Sequence, residues 1–192
     1  MKIAAALFSV LLLFFFSCAS IPCEKKIIEK NLFEEYFSIA ERYKNLEDYS
    51  KAIEYYSKAL PSKSLHGYAF YEIALCNVYL KNWNEAKSSF ETLLQNDSEN
   101  TTLKSSLAYI EAMRGNLEKA ESLYASLYEN NPDDSFVLKN LIAVLAAEKK
   151  YEEADKNLNL LEEKFPDESS IPDIKKKLKE FLPDQESEAE EE

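Results

Sequence analysis

Glycine and histidine are scarce in this sequence, and each scarcity excludes a class of function. Among 192 residues there are 2 glycines, so the chain has no glycine-rich loop that could hold a phosphate. The 1 histidine, His66, leaves neither an HExxH pair nor a cysteine and histidine spacing suited to zinc. We predict that the protein is not an enzyme and that it holds no metal and no cofactor.

Basic residues are also in the minority. The chain has 23 Lys and Arg residues against 35 Asp and Glu residues, which gives a net charge of −12. Nucleic-acid binding depends on lysine and arginine side chains that neutralise phosphates, so nucleic acid is not an expected partner. Residues 184–192 carry 6 acidic residues and no basic one, which predicts a disordered acidic tail over 183–192.

Only one long stretch of the sequence is apolar. Residues 3–16 form a run of 14 positions without a charge. This is shorter than the roughly 20 apolar residues that a membrane-spanning helix needs, and it is typical of the core of a secretory signal. We therefore predict that the protein is exported, with residues 1–17 as its signal peptide.

Two ways of processing this leader are consistent with the residues. In the first, Cys18 after Ser17 resembles the cysteine of a bacterial lipobox, although the two phenylalanines before Ser17 depart from the usual residues. Cys18 would then be lipidated, and residues 18–32 would form a tether. In the second, ordinary signal peptidase cuts near Ala19 or Ser20. The lipobox alternative predicts a bacterial cell-envelope protein anchored through lipid on the periplasmic or the surface face of a membrane. It does not specify whether this is the inner or the outer membrane.

A pattern of three positions returns every 34 residues over most of the chain. The positions hold an aromatic residue or leucine (Tyr49, Trp83, Leu117, Tyr151), an alanine (Ala52, Ala86, Ala120, Ala154) and a large apolar residue (Tyr56, Phe90, Tyr124, Leu158). A fixed period of this length indicates stacked structural repeats. Four units fill 33–168, with the bounds 33–66, 67–100, 101–134 and 135–168.

Each unit divides into two predicted helices, because apolar residues recur at helical spacing on both sides of a short break. Asp48, Asn82 and Asn116 stand directly before the second helices, where a short side-chain oxygen is expected to accept hydrogen bonds from the first turn. Pro132 and Pro166 follow the second helices of the third and fourth units, and we expect these helices to end before them.

These units resemble tetratricopeptide repeats. The resemblance is carried by the 34-residue length and by alanine at the twentieth place of every unit. In some of the units it is also carried by a small residue at the eighth place, an aromatic at the twenty-fourth and proline at the thirty-second. It implies an all-α fold, a right-handed α-solenoid of four helix-turn-helix repeats. Lys104 and Glu111 take places where bulky residues are common, which predicts looser packing in the third unit.

The residues after the last unit predict one further helix. Ile171, Ile174, Leu178 and Phe181 form an apolar stripe at helical spacing. End repeats otherwise leave an apolar face in water, so we expect a C-terminal capping helix over 171–182.

The resemblance also implies a binding groove, since the first helices of tetratricopeptide units line a concave surface. The residues of this chain at such places are Tyr68, Tyr71, Leu75, Val78, Tyr79, Tyr109, Met113, Phe136 and Lys139. This surface is aromatic and apolar, and it lacks the cluster of lysine, arginine and asparagine with which some relatives hold a terminal carboxylate.

The predicted function is that of a membrane-tethered, exported scaffold or adaptor that binds another cell-envelope protein, or a peptide segment of it, in the groove. The alternative is a carrier or transporter-accessory protein that binds a small hydrophobic ligand in the same groove. An open trough would favour the adaptor, and a closed pocket would favour the carrier.

Overall fold

The computed structural model describes residues 24–181, which form helices joined by short turns. The helices are α1 (Glu24–Asn45), α2 (Tyr49–Ala59), α3 (His66–Tyr79), α4 (Trp83–Asn96), α5 (Thr101–Met113), α6 (Leu117–Asn130), α7 (Ser135–Ala147), α8 (Tyr151–Lys164) and α9 (Ile171–Lys179). Within this range there is no strand, so the predicted all-α fold is confirmed. The signal peptide, Cys18 and the acidic tail lie outside the described residues.

The chain divides into two compact units, and the division falls within α3. Unit 1 ends at Ala69 and contains α1 and α2, which pack on each other partly through aromatic rings. The rings of Tyr43 and Tyr55 are stacked with their centroids 5.4 Å apart. Helix α1 starts at Glu24, before the expected start of the first repeat at residue 33, because no proline or glycine interrupts 24–45. The last part of the predicted tether is therefore helical.

Unit 2 begins at Phe70, and its buried side chains form two clusters. The first joins α3, α4 and α5, with Phe90 and Ile110 at its centre. The second joins α5 to α9, with Leu138, Ile142 and Leu158 among its fully buried members. The core of the unit thus follows the helices in chain order, since each pair packs against the next.

Helix α9 closes the second cluster at its C-terminal side. Leu178 is buried, and Ile171 and Ile174 pack against the cluster. The ring of Phe181 stacks on that of Tyr151, with the centroids 5.0 Å apart and the planes 4° apart. The apolar stripe of the predicted capping helix therefore faces α8.

The repeated alanines are fully buried, with no exposed surface at Ala52, Ala86, Ala120 or Ala154. Each lies one turn before a large side chain of the same helix that is also buried, as Ala86 lies before Phe90. A small side chain at this place allows the two helices of a pair to approach closely.

Ala86→Leu is expected to lower the free energy of unfolding by about 1–3 kcal/mol, because the added methylene groups overpack a filled site. Urea denaturation followed by circular dichroism measures this change. Ala147→Leu, at an exposed position of α7, is the matched control and is expected to change stability by less than about 0.5 kcal/mol. Equal losses in the two variants would contradict the placement of Ala86.

The turn inside each helix pair has the same backbone geometry. Its residue with positive φ recurs every 34 positions, at Glu47 (59°), Lys81 (60°), Gly115 (84°) and Lys149 (64°). In every case the next N–H donates to the carbonyl five residues earlier, over 2.8–2.9 Å, which is the Schellman geometry that ends a helix. Only one of the four positions is glycine, so the other three hold a side chain in a conformation that favours glycine.

The predicted caps are confirmed at one position and wrong at two. The Asp48 carboxylate accepts from a backbone N–H in the first turn of α2 at 3.2 Å. Asn82 and Asn116 make no such bond. Their side-chain amides donate instead to Oδ1 of Asn77 at 3.1 Å and to Oε2 of Glu111 at 2.7 Å. Both acceptors are buried, and a buried polar group needs a hydrogen-bond partner, which the side-chain N–H of each asparagine supplies.

Candidate functional site

Unit 2 contains a cavity of about 550 Å³ with walls from α3, α5 and α7, which we call the central groove. Its apolar lining includes Leu75, Val78, Tyr79, Trp83, Tyr109, Met113, Phe136 and Val137. Its polar lining includes Lys81, Thr101, Thr102, Ser105, Ser106 and Asp134. The residues lie on one face of each helix, for example at 102, 105, 109 and 113 of α5, because side chains three or four residues apart point the same way.

The large apolar side chains of the central groove are open to solvent. Tyr79 is 57% exposed, Tyr109 41%, Met113 47% and Phe136 60%. A closed pocket would bury such side chains, whereas an extended trough leaves one side of each in water. The groove therefore has the open form that favours a peptide segment as its occupant.

Aromatic contacts hold the middle of the central groove in place. The Tyr109 ring meets the Trp83 ring edge to face, with the centroids 6.5 Å apart. Below them, the Tyr124 hydroxyl donates to the backbone carbonyl of Ser105 at 3.4 Å, and burial raises the pKa of Tyr124 to about 12. Tyr124 therefore stays protonated and neutral, and it ties α6 to α5 beneath the groove.

Six of the nine predicted groove residues line this cavity, namely Leu75, Val78, Tyr79, Tyr109, Met113 and Phe136. Tyr71 instead packs edge to face on Phe90, with the ring centroids 6.0 Å apart. The Nζ atom of Lys139 lies 2.9 Å from a carboxylate oxygen of Glu168. Tyr68 belongs to unit 1 and is 70% exposed.

Lys81 and Asp134, which the sequence pattern does not indicate, bring opposite charges to the central groove. Lys81 is exposed on the turn after α3. Asp134 precedes α7, where one carboxylate oxygen accepts from the N–H groups of Phe136 at 3.0 Å and Val137 at 3.1 Å. Both lie in turns, outside the first-helix places that the family resemblance assigns to the groove, so helical spacing gave no signal for them.

A separate polar cluster surrounds Glu111, whose side chain is 2% exposed. The Nζ atoms of Lys87 and Lys119 each lie 2.8 Å from its Oε1, and the Asn116 amide donates to Oε2. Burial by itself would raise the pKa of Glu111, but the hydrogen bonds from these three residues outweigh it and lower the pKa to about 2. At Glu111 itself the packing is not loose, because the carboxylate is buried and paired with residues of α4 and α6.

Neither a metal site nor a membrane span is found in the described part of the chain. Between residues 24 and 181, no three histidine, cysteine or acidic side chains are grouped as a metal ion would require. None of the helices in this range has the length and apolar character needed to cross a bilayer.

The helix pairs, the buried alanines and the repeated Schellman turns define an all-α fold of the tetratricopeptide solenoid class. Residues 71–135 match the family model described as Tetratricopeptide repeat. The solved structures that resemble this one share the fold, so the predicted fold class is confirmed. No curated protein matches the sequence.

Several solved structures are similar to this one. A tetratricopeptide repeat protein from Parabacteroides merdae has a TM-score of 0.65 at 18% identity, over 79% of this chain and 60% of its own. YrrB, described as a TPR protein with an unusual peptide-binding site, has a TM-score of 0.56 at 21% identity, over 86% of this chain and 95% of its own. MamA from Desulfovibrio magneticus has a TM-score of 0.61 at 11% identity, over 78% and 94%. At these identities the likeness establishes the fold.

Proposed function

We propose that this protein is an interaction scaffold that binds a peptide segment of a partner protein in the central groove. The observation that carries the proposal is the open row of Tyr79, Tyr109, Met113 and Phe136. Contiguous exposed apolar side chains mark interaction surfaces, and aromatic residues contribute much of the binding energy at such surfaces. The peptide-binding site in the description of YrrB, a structural neighbour, is consistent with this use of the fold.

The proposal includes the cellular location of the protein. The apolar run over 3–16 and the Ser17-Cys18 pair support export and lipidation at Cys18. A lipid anchor of two or more chains would hold the scaffold on a membrane of the bacterial cell envelope. The partner is then another envelope protein, reached by the groove from the membrane surface.

A second candidate is a carrier for a small hydrophobic ligand. The cavity volume of about 550 Å³ lies within the roughly 300–1,000 Å³ usual for small-molecule sites. The exposure of its aromatic residues weighs against this candidate, because such sites bury most of the ligand surface. Both candidates use the same residues, so the experiment must report the size of the occupant.

Photo-crosslinking from position 136 in intact cells is expected to give a discrete, heavier product in the membrane fraction. Position 136 is a suitable site for the photoreactive amino acid because Phe136 lines the groove and is exposed. Position 71 is less suitable because Tyr71 is packed against Phe90. The same residue at position 181, where Phe181 is similarly exposed on another surface, is the matched control and is expected to leave the product unlabelled.

The mass of the product decides between the candidates. A protein-sized increase supports the scaffold, and an increase of a few hundred daltons supports the carrier. A doubled mass would mean that a second copy of the chain occupies the groove. Equal labelling from positions 136 and 181 would count against the groove as a binding site.

A further inference from the structure

The central groove carries one cation and one anion, and neither is neutralised within the described structure. Lys81 makes no ion pair with a residue between 24 and 181. Asp134 bonds to backbone N–H groups only, through one of its two oxygens, so no cation neutralises it within that range. The two charges share one groove, yet they do not pair with each other.

The charges lie on different walls. Lys81 follows α3, and Asp134 precedes α7. Helix α5 lies between these walls, since Leu103 and Ile110 of α5 pack in the cluster of α3, and α5 also contacts α7 directly. An occupant that crosses α5 from one wall to the other would therefore meet a positive charge at one end and a negative charge at the other.

The wall between the charges suits the backbone of an extended segment. Thr101, Thr102 and Ser105 line it with hydroxyl groups that make no hydrogen bond to the described residues. A hydroxyl both donates and accepts, so it can pair with either an N–H or a carbonyl group of a peptide. The Tyr109 and Phe136 rings offer apolar area beside these hydroxyls for the side chains of the same segment.

We propose that the central groove selects a peptide segment with an acidic side chain at the Lys81 end, apolar side chains over α5 and a basic side chain at the Asp134 end. This inference rests on the proposed function and specifies the chemistry of the partner. Opposite charges on separate walls give an extended segment one preferred direction, which apolar contacts alone do not give.

Selection from a displayed library of random twelve-residue peptides tests the inference, with the full-length chain held in lipid nanodiscs. The native chain is expected to enrich peptides in which an acidic and a basic residue flank an apolar centre. Each charged side chain of a selected peptide is expected to lower its Kd by about two- to fivefold at roughly 0.1 M salt. The preference for charged peptides is expected to vanish at about 1 M salt.

Two variants address the charges separately. Lys81→Glu is expected to exchange the acidic preference for a basic one. Asp134→Asn is expected to remove the basic preference, while the asparagine oxygen still caps α7. Lys176→Glu on α9 and Asp133→Asn beside the groove are the matched controls, since neither residue lines the cavity, and both are expected to keep the native consensus.

The outcomes separate this inference from the proposed function. Enriched peptides with apolar centres and no charge preference, or a consensus that Lys81→Glu leaves unchanged, would overturn the inference and leave the scaffold function standing. A library without enrichment, or enriched peptides that bind Tyr109→Ala as tightly as the native chain, would overturn both.

Discussion

Replacing Lys87 and Lys119 together by methionine is expected to lower the free energy of unfolding by about 3–5 kcal/mol at pH 7. The two ammonium groups hold the buried Glu111 carboxylate at 2.8 Å. Without them, the charge retains Asn116 and Arg114, and the nearest Arg114 nitrogen lies 3.9 Å away. The loss reflects the cost of a buried charge with too few partners. Urea denaturation followed by circular dichroism measures it.

The pH dependence of this loss tests its cause. In the native protein the pKa of Glu111 is lowered from 4.5 to about 2, so its stabilisation is complete above pH 4.5 and disappears as the pH falls through 2. In the variant, the hydrogen bonds from the two lysines no longer offset burial, so the pKa of the same carboxyl is expected to rise. Glu111 is then neutral in acid in both proteins. The difference in stability is therefore expected to shrink as the pH falls from about 5 to about 2.

Glu111→Leu tests whether the loss of stability comes from a buried carboxylate that lacks its partners. It removes the carboxylate and fills the site with an apolar side chain of similar size, so we expect a change of less than about 1 kcal/mol, or a gain. Lys176→Met with Lys177→Met, at exposed positions of α9, controls for the loss of two lysines. A loss in the Lys87 and Lys119 variant that does not depend on pH would contradict the role assigned to Glu111.

Tyr109→Ala combined with Phe136→Ala is expected to weaken binding of a selected peptide by about 30- to 1,000-fold, which corresponds to about 2–4 kcal/mol. The two rings supply much of the apolar surface of the central groove on α5 and α7. Both are partly exposed, so their removal is expected to leave the helical content unchanged. Fluorescence anisotropy of a labelled peptide measures the affinity, and circular dichroism measures the helical content.

Two other aromatic residues give controls for the groove variant. Phe181→Ala removes a ring of similar exposure from another surface and is expected to leave the affinity unchanged. Tyr71→Ala removes a ring that packs on Phe90, so we expect it to lower stability more than affinity. Affinity retained in the Tyr109 and Phe136 variant would exclude the central groove as the peptide site.

The sequence predicts the helices well because period and burial are linked. Two of the three positions that recur every 34 residues, those of Ala86 and Phe90, are buried in the structure. The third, that of Trp83, is half-buried. The same reasoning places Tyr109 and Phe136 on the groove face, because each lies at a first-helix place of its unit. A repeated pattern thus reports which side of a helix is buried and which side is open.

Polar partners were harder to predict, since their choice depends on geometry that the period does not contain. Lys87 of α4 pairs with Glu111 of α5, and no recurring position of the sequence indicates this pairing. Asn82 has the residue type and the position of a helix cap, yet its side-chain amide donates a hydrogen bond to the buried Asn77. The turn at Lys81 adopts a conformation that favours glycine, so its residue type gave no signal of the turn geometry.

The order of packing in unit 2 has a consequence for folding. The more extensive helix contacts among the described residues of this unit join neighbours in the chain, whereas α5 and α7 touch only slightly. Native contacts of this kind close short loops, and proteins with such local topology fold fast. Helices α3 to α7 can therefore assemble in the order of their synthesis. The central groove needs only these helices for its lining, so its walls can form before α8 and α9 are added.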